Sequence, residues 1–189
     1  MARVSSVPYQ SEWVPSSWSG IPPPIAWARW GSGEPGQGVH AFVDDWRLEA
    51  FARGSLGGLG PGRTWAVEPD FSVLPGMPPP VVLWQVYRAR YLGDRLRAAG
   101  LQVVPVLQWA GPDSWDICAW GMRPGSAVAV RAPARDLLEV TAWAAGYRAL
   151  LERVRPSHVL VFGRSSRIAG VLDGAGVSWS SEPLRRVRR

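Results

Sequence analysis

Three aspartates, Asp44 and Asp45 in "FVDDWRLE" and Asp70 in "VEPDF", are the residues of this chain whose types and placement most directly suit chemistry. Each follows a short apolar run that reads as a strand, and in a parallel sheet ligands sit outside the carboxyl ends of the strands. Carboxylates gathered at such a rim raise one another's pKa, and a divalent cation or an arginine relieves the repulsion. That arrangement serves metal-assisted phosphoester hydrolysis, with Mg or Mn held by Asp44, Asp45 and Asp70, or general acid and base work on a sugar. Glu68 is the alternative acid on the second strand, while Asp113 and Asp116 follow the third, beyond Trp109. The same acids also suit structural duty. Asp44 or Asp45 would cap the helix "WRLEAFAR", Asp70 between Pro69 and Phe71 would form an Asx-turn, and "GPDSWD" is an ordinary turn-and-cap sequence.

Positive and planar groups lie nearby in sequence. Arg88, Arg90, Arg95 and Arg97 fall on the helix after the second strand, and the seven-residue spacing puts Arg88 and Arg95 on one face. Arg88 suits a phosphate clamp through its bidentate fork, or an ion pair with the rim acids; a solvated face with Asp94 as local partner is the plainer alternative. Trp109 would supply a stacking wall and Asp116 a further substrate contact, with Trp115 as a second aromatic platform. The net charge is +6, but Arg185, Arg186, Arg188 and Arg189 supply four of those charges, and without them the balance is +2. The tail therefore suits phosphate contact with nucleic acid, or simple solubility.

Several chemistries are disfavoured. Cys118 is the only cysteine, which excludes an intramolecular disulfide, and with His40 and His158 alone there is no Cys/His zinc set. No Gly-x-Ser-x-Gly elbow occurs and neither histidine has a nucleophile partner in sequence, which argues against a serine or cysteine hydrolase. "FGRSS" (Phe162 to Ser166) lacks the Walker spacing and its lysine, and reads as a strand-to-helix turn. His158 and Cys118 read as core. All basic residues are arginine, as high-GC actinobacterial coding would produce. The amino-terminal segment has no continuous apolar run and no stretch of about eighteen apolar residues occurs, so neither export signal nor membrane span is expected, and the cytoplasm fits best.

The elements that must position these groups alternate in period. Residues 1–38, rich in Pro, Gly, Ser and Trp, are expected as an irregular arm packed on the body by its indoles, with a hinge at Gly31 to Gly38. Residues 39–182 read as one α/β domain, and 183–189 as a basic tail. Strands are expected at Val39 to Val43, Thr64 to Phe71, Leu101 to Trp109, Ser126 to Arg131, Ser157 to Gly163 and in "VSWS", with Pro105 marking an edge, bulge or irregularity. Helices are expected in "DDWRLEAFARG", from Pro79 to Ala99, through "ARDLLEVTAWAAGYRALLERVR" and in "SSRIAGVLDGAG". The second carries a stripe of Trp84, Tyr87, Tyr91, Leu92 and Leu96. About six strands joined by crossover helices imply a mainly parallel sheet, either an open sandwich or a reduced, barrel-like (β/α) array.

In order and spacing, "FVDDWRLE", "VEPDFSVLPGMP", "WQVYRARYLGDRLRAAGLQVVPVLQW", "SWDICAWGMRPGSAVAV" and "RVRPSHVLVFG" resemble the domain of unknown function family numbered 4417, from about His40 to Arg164. The resemblance implies a bacterial or phage α/β domain often carried by plasmids, phages and other mobile elements, and brings no activity with it. The expectation is a protein acting on nucleic acid, in the form of a divalent-metal phosphoesterase. Its alternatives are a non-catalytic DNA- or RNA-binding module using the Arg helix and tail, and an enzyme or sensor for a small polar ligand such as a sugar or nucleotide.

Overall fold

A computed structural model of the protein describes residues 22–133 and 137–184. Seven strands are present among them: β1 (Trp27–Arg29), β2 (Gly38–His40), β3 (Trp65–Val67), β4 (Gln102–Val104), β5 (Ala127–Arg131), β6 (His158–Phe162) and β7 (Ser178–Glu182). Five α-helices accompany them: α1 (Asp45–Ala52), α2 (Pro79–Ala98), α3 (Trp115–Ala119), α4 (Leu137–Val154) and α5 (Ala169–Asp173). Every ladder is parallel, and neighbours follow chain order, β1 to β4 in one sheet and β5 to β7 in the other. The expected mixed α/β fold with parallel strands is therefore the fold observed.

The irregular arm is the main correction. Trp27 to Arg29 pairs in parallel with β2 and forms one side of the sheet. Prolines and glycines on either side dominate any reading of this segment, and three residues are too few to show a strand's alternation. The indole of Trp27 lies over Gly38, its neighbour in the ladder, where a Cβ would overlap the ring. The stretch expected as a hinge is the β1–β2 connection, and Arg63 fastens it by donating to the carbonyls of Glu34 (2.5 Å) and Gly36. Trp13 and Trp18 and the arginines from Arg185 onward lie outside the described residues.

Pro105 marks the irregularity expected of it. The β3–β4 ladder stops at Val104, and the chain then turns to β5, where Val106 and Ala129 form an isolated parallel bridge. This bridge joins the two sheets into one singly wound array. Val106 has left its first partner strand, and side chains complete its backbone bonding: the Glu68 carboxylate accepts its N–H (3.2 Å) and Arg90 donates to its carbonyl (3.0 Å). Glu68 and Arg90 also pair directly, and both are buried. Glu68 thus points to α2 and the seam, away from the rim.

One face of the array carries Trp27, Phe42, Leu160 and Phe162, and it curls on itself. The Phe162 ring on β6 lies 5.4 Å from Trp27 of β1, 5.2 Å from His40 at the end of β2 and 4.9 Å from Phe42. The opposite face, with Val128, Val130, Val159 and Val161, packs on Ala144, Tyr147, Leu150 and Val154 of α4. Helix α2 buries Val82, Val86, Ala89, Leu92 and Leu96. Its aromatics depart from expectation: Trp84, Tyr87 and Tyr91 stack along the outside, with Trp84 55% exposed. The small residues Ala89 and Gly93 let α2 approach the sheet more closely than bulky rings would permit.

Candidate functional site

The carboxyl ends of β3, β4 and β5 border a cavity of about 400 Å3, open at the seam between the two sheets. Asp70 and Ser72 come from the chain leaving β3, Gln108 and Trp109 from the chain beyond β4, and Arg131 from the last position of β5. Helix α4 closes the far side with Glu139 and Trp143. The indole N–H of Trp143 donates to the Arg131 carbonyl (3.0 Å), tying the wall to the strand end. Trp109 lies against Trp143 (5.3 Å) and over Gly146, where any Cβ would overlap its ring. Tyr147 stacks on Trp143 at 4.8 Å. The wall is thus a packed aromatic cluster with little freedom to move.

Beside Glu139, Asp70 brings a second carboxyl group to this crevice. Burial pushes its carboxyl up to about 6; Arg131 opposes the shift and the negative charge of Asp45 adds to it. A carboxyl poised there can give or take a proton near neutral pH. Gln108 has a buried Oε1 with no hydrogen-bond donor among the described residues, so it is an acceptor awaiting a partner. The crevice therefore offers an aromatic wall, an acceptor, a switchable donor or acceptor, and a cation.

Asp45 and Asp70 lie within electrostatic reach of each other, while Asp44 faces solvent. Asp44 is 75% exposed at the head of α1, 3.7 Å from Arg47. Asp45 ties α1 to the chain after β3, accepting from the Ser72 amide (3.1 Å) and hydroxyl (3.0 Å). Arg88 lies 3.6 Å from Asp45 and 3.3 Å from Glu49, its guanidinium 3.6 Å over the Phe71 ring. The adjacent acids therefore face arginines, and Arg88 is engaged by carboxylates rather than open to phosphate. Among the described residues no group of three or more His, Cys, Asp or Glu is placed to hold a metal ion.

Asp116 lies on α3, exposed and 2.6 Å from Arg153 of α4, away from the crevice. Arg153 also sits over Trp115, 5.8 Å from the ring centre, so that platform too is outside the site. Of the residues singled out in sequence, Asp70 and Trp109 meet at the crevice. Arg131, Gln108, Trp143 and Glu139 join them unannounced. Arg131 could have been found: it ends a clean strand, and the rule that marked Asp44 marks it equally. Cys118 is buried and its thiol is pushed up to about 11 by burial, which makes it unreactive.

Residues 28–171 match the family described as a domain of unknown function, DUF4417. The chain is 32% identical over 133 residues to the Gene 1 protein of Mycobacterium phage L5, an alignment covering 68% of this chain and 58% of that protein. It is 35% identical over 135 residues to the Gene 1 protein of Mycobacterium phage D29, covering 68% of this chain and 49% of that protein. The chain spans about half the length of the curated relatives it matches. No solved structure gives a significant match. No helix among the described residues is long and apolar enough to cross a membrane.

Proposed function

Because the chain belongs to the DUF4417 family and has phage relatives, with no activity attached to either, we propose a function from the crevice itself: it binds a nucleotide-type ligand, planar and anionic, and Asp70 exchanges a proton with it. The observation that carries this reading is the Asp70 carboxyl held near 6 inside a cavity walled by Trp109 and Trp143. A nucleobase presents a flat face for the wall, while its edge carries the N–H donors that Gln108 Oε1 lacks and the mixed donor and acceptor pattern that Asp70 can meet. Arg131 supplies charge for an anionic substituent.

Metal-dependent phosphoester hydrolysis draws less support, because Asp44 and Asp45 are engaged by Arg47, Ser72 and Arg88. Free nucleotides and the terminal units of single-stranded nucleic acid share the required chemistry. Tryptophan fluorescence titrations with the four nucleoside monophosphates and with short single-stranded oligonucleotides separate these sources. Saturable quenching is expected for at least one monophosphate, weakened about tenfold or more by Asp70→Asn or Gln108→Leu, each of which removes one hydrogen-bonding partner in a desolvated site. Quenching by oligonucleotides alone would assign the site to a strand end. Absence of binding by every probe at millimolar concentration would overturn the proposal.

A further inference from the structure

Arg29 and Arg131 both act electrostatically on His40, and neither makes an ion pair with a carboxylate among the described residues. The register explains the grouping. Arg29 stands level with His40 in the β1–β2 ladder, on the face that curls inward. Arg131 stands level with Phe162, whose ring touches that of His40 across the curl. Two cations are thereby directed to one end of the inner face, where Glu182 stands level with Phe162 and Asp70 lies within electrostatic reach of Arg131.

His40 adds an independent sign of a missing partner. It is 1% exposed, yet Nδ1 and Nε2 are both without a hydrogen bond, and the buried Nε of Arg29 is likewise unpaired. His158, at the opposite end of the same face, is also buried, but its Nδ1 and Nε2 meet the hydroxyls of Ser178 (2.8 Å) and Ser180 (2.9 Å). Buried polar groups are nearly always paired, so one satisfied and one unsatisfied histidine on one face call for a physical reason. Phe42 and Phe162 pack around His40 and provide no acceptor.

We propose that Arg29, Arg131 and the imidazole N–H of His40 form an inner oxyanion subsite for a phosphate monoester group. A phosphate there would accept from both guanidinium groups and from one ring N–H, bringing into use the donors that are now unpaired. Arg131 also borders the outer crevice and is the residue common to both. The inference rests on the nucleotide-type reading and deepens it, placing the anionic end of the ligand inward and its planar end against Trp109.

The test uses the full chain and inorganic phosphate, followed by calorimetry and by the ring nitrogen resonances of His40 in NMR. Saturable one-to-one binding is expected, accompanied by movement of the His40 ring signals. Affinity should fall about tenfold or more in Arg131→Gln and in Arg29→Gln, each losing a charge-assisted hydrogen bond. Arg131 is exposed, so its variant keeps the test open should Arg29→Gln fail to fold. No saturable binding at tens of millimolar, or binding unchanged in both variants, would overturn the subsite. Unphosphorylated nucleosides distinguish the two readings: if they bind while phosphate does not, the outer crevice stands alone; if phosphate binds and nucleosides do not, the reverse holds.

Discussion

At the scale of single residues, the buried His40 and the partly buried Asp70 titrate in opposite senses. His40 is held neutral, its pKa lowered to about 4 by burial and by the charges of Arg29 and Arg131. Its folded value lies below the unfolded one, so its contribution to stability is present above about pH 6.5 and is lost as pH falls toward 4; the span corresponds to about 3 kcal/mol. Asp70 behaves the other way, with a folded value near 6 against 3.8, so its contribution is present in acid and is lost as pH rises through 6. Between pH 4 and 6 the two oppose each other. Asp70→Asn should therefore make acid destabilisation steeper than in the parent, while His40→Phe should remove most of it. Urea denaturation at stepped pH measures both. Identical pH profiles in all three proteins would contradict this assignment.

At the scale of elements, the seam between β4 and β5 depends on the Glu68–Arg90 pair. Removing one partner leaves an unmatched buried charge and strips the backbone of Val106 of a bond. Glu68→Ala should cost about 3–5 kcal/mol, whereas Asp45→Asn, at a partly exposed pair, should cost about 1 kcal/mol or less. Denaturant midpoints decide between these magnitudes, and equal costs would show that the seam is not specially held. Legibility in the sequence followed the same elements. Helices α2 and α4 and strands β5 and β6 each carry their own periodic signal, caps or apolar run, and their bounds were close to those observed. Strand β1 carried none. Its burial depends on a partner strand and on Phe162, far away in sequence. Glu68 looked like a rim acid because "VEPDF" offers two acids in three positions. Two positions apart, they would share a face in a continuing strand; they separate because β3 ends at Val67, after which Glu68 pairs with Arg90 of α2 and Asp70 reaches the mouth.

At the scale of the whole molecule, a singly wound parallel array brings the ends of strands distant in sequence to one mouth, which is why the site was only half legible. Asp70 and Trp109 could be read from strand ends. The company of Arg29, His40 and Arg131 could not, because it requires the register and the curl together. The phage relatives are roughly twice the length this chain spans on them. The proposed binding of a nucleotide at the mouth turns on the carboxyl of Asp70, whose pKa burial raises. The most direct test is a carbon-13 NMR titration of the Asp70 carboxyl, with and without adenosine monophosphate. A midpoint near 6 is expected in the free protein, and a displaced midpoint when the nucleotide is present. A midpoint close to 3.8, indifferent to nucleotide, would contradict it.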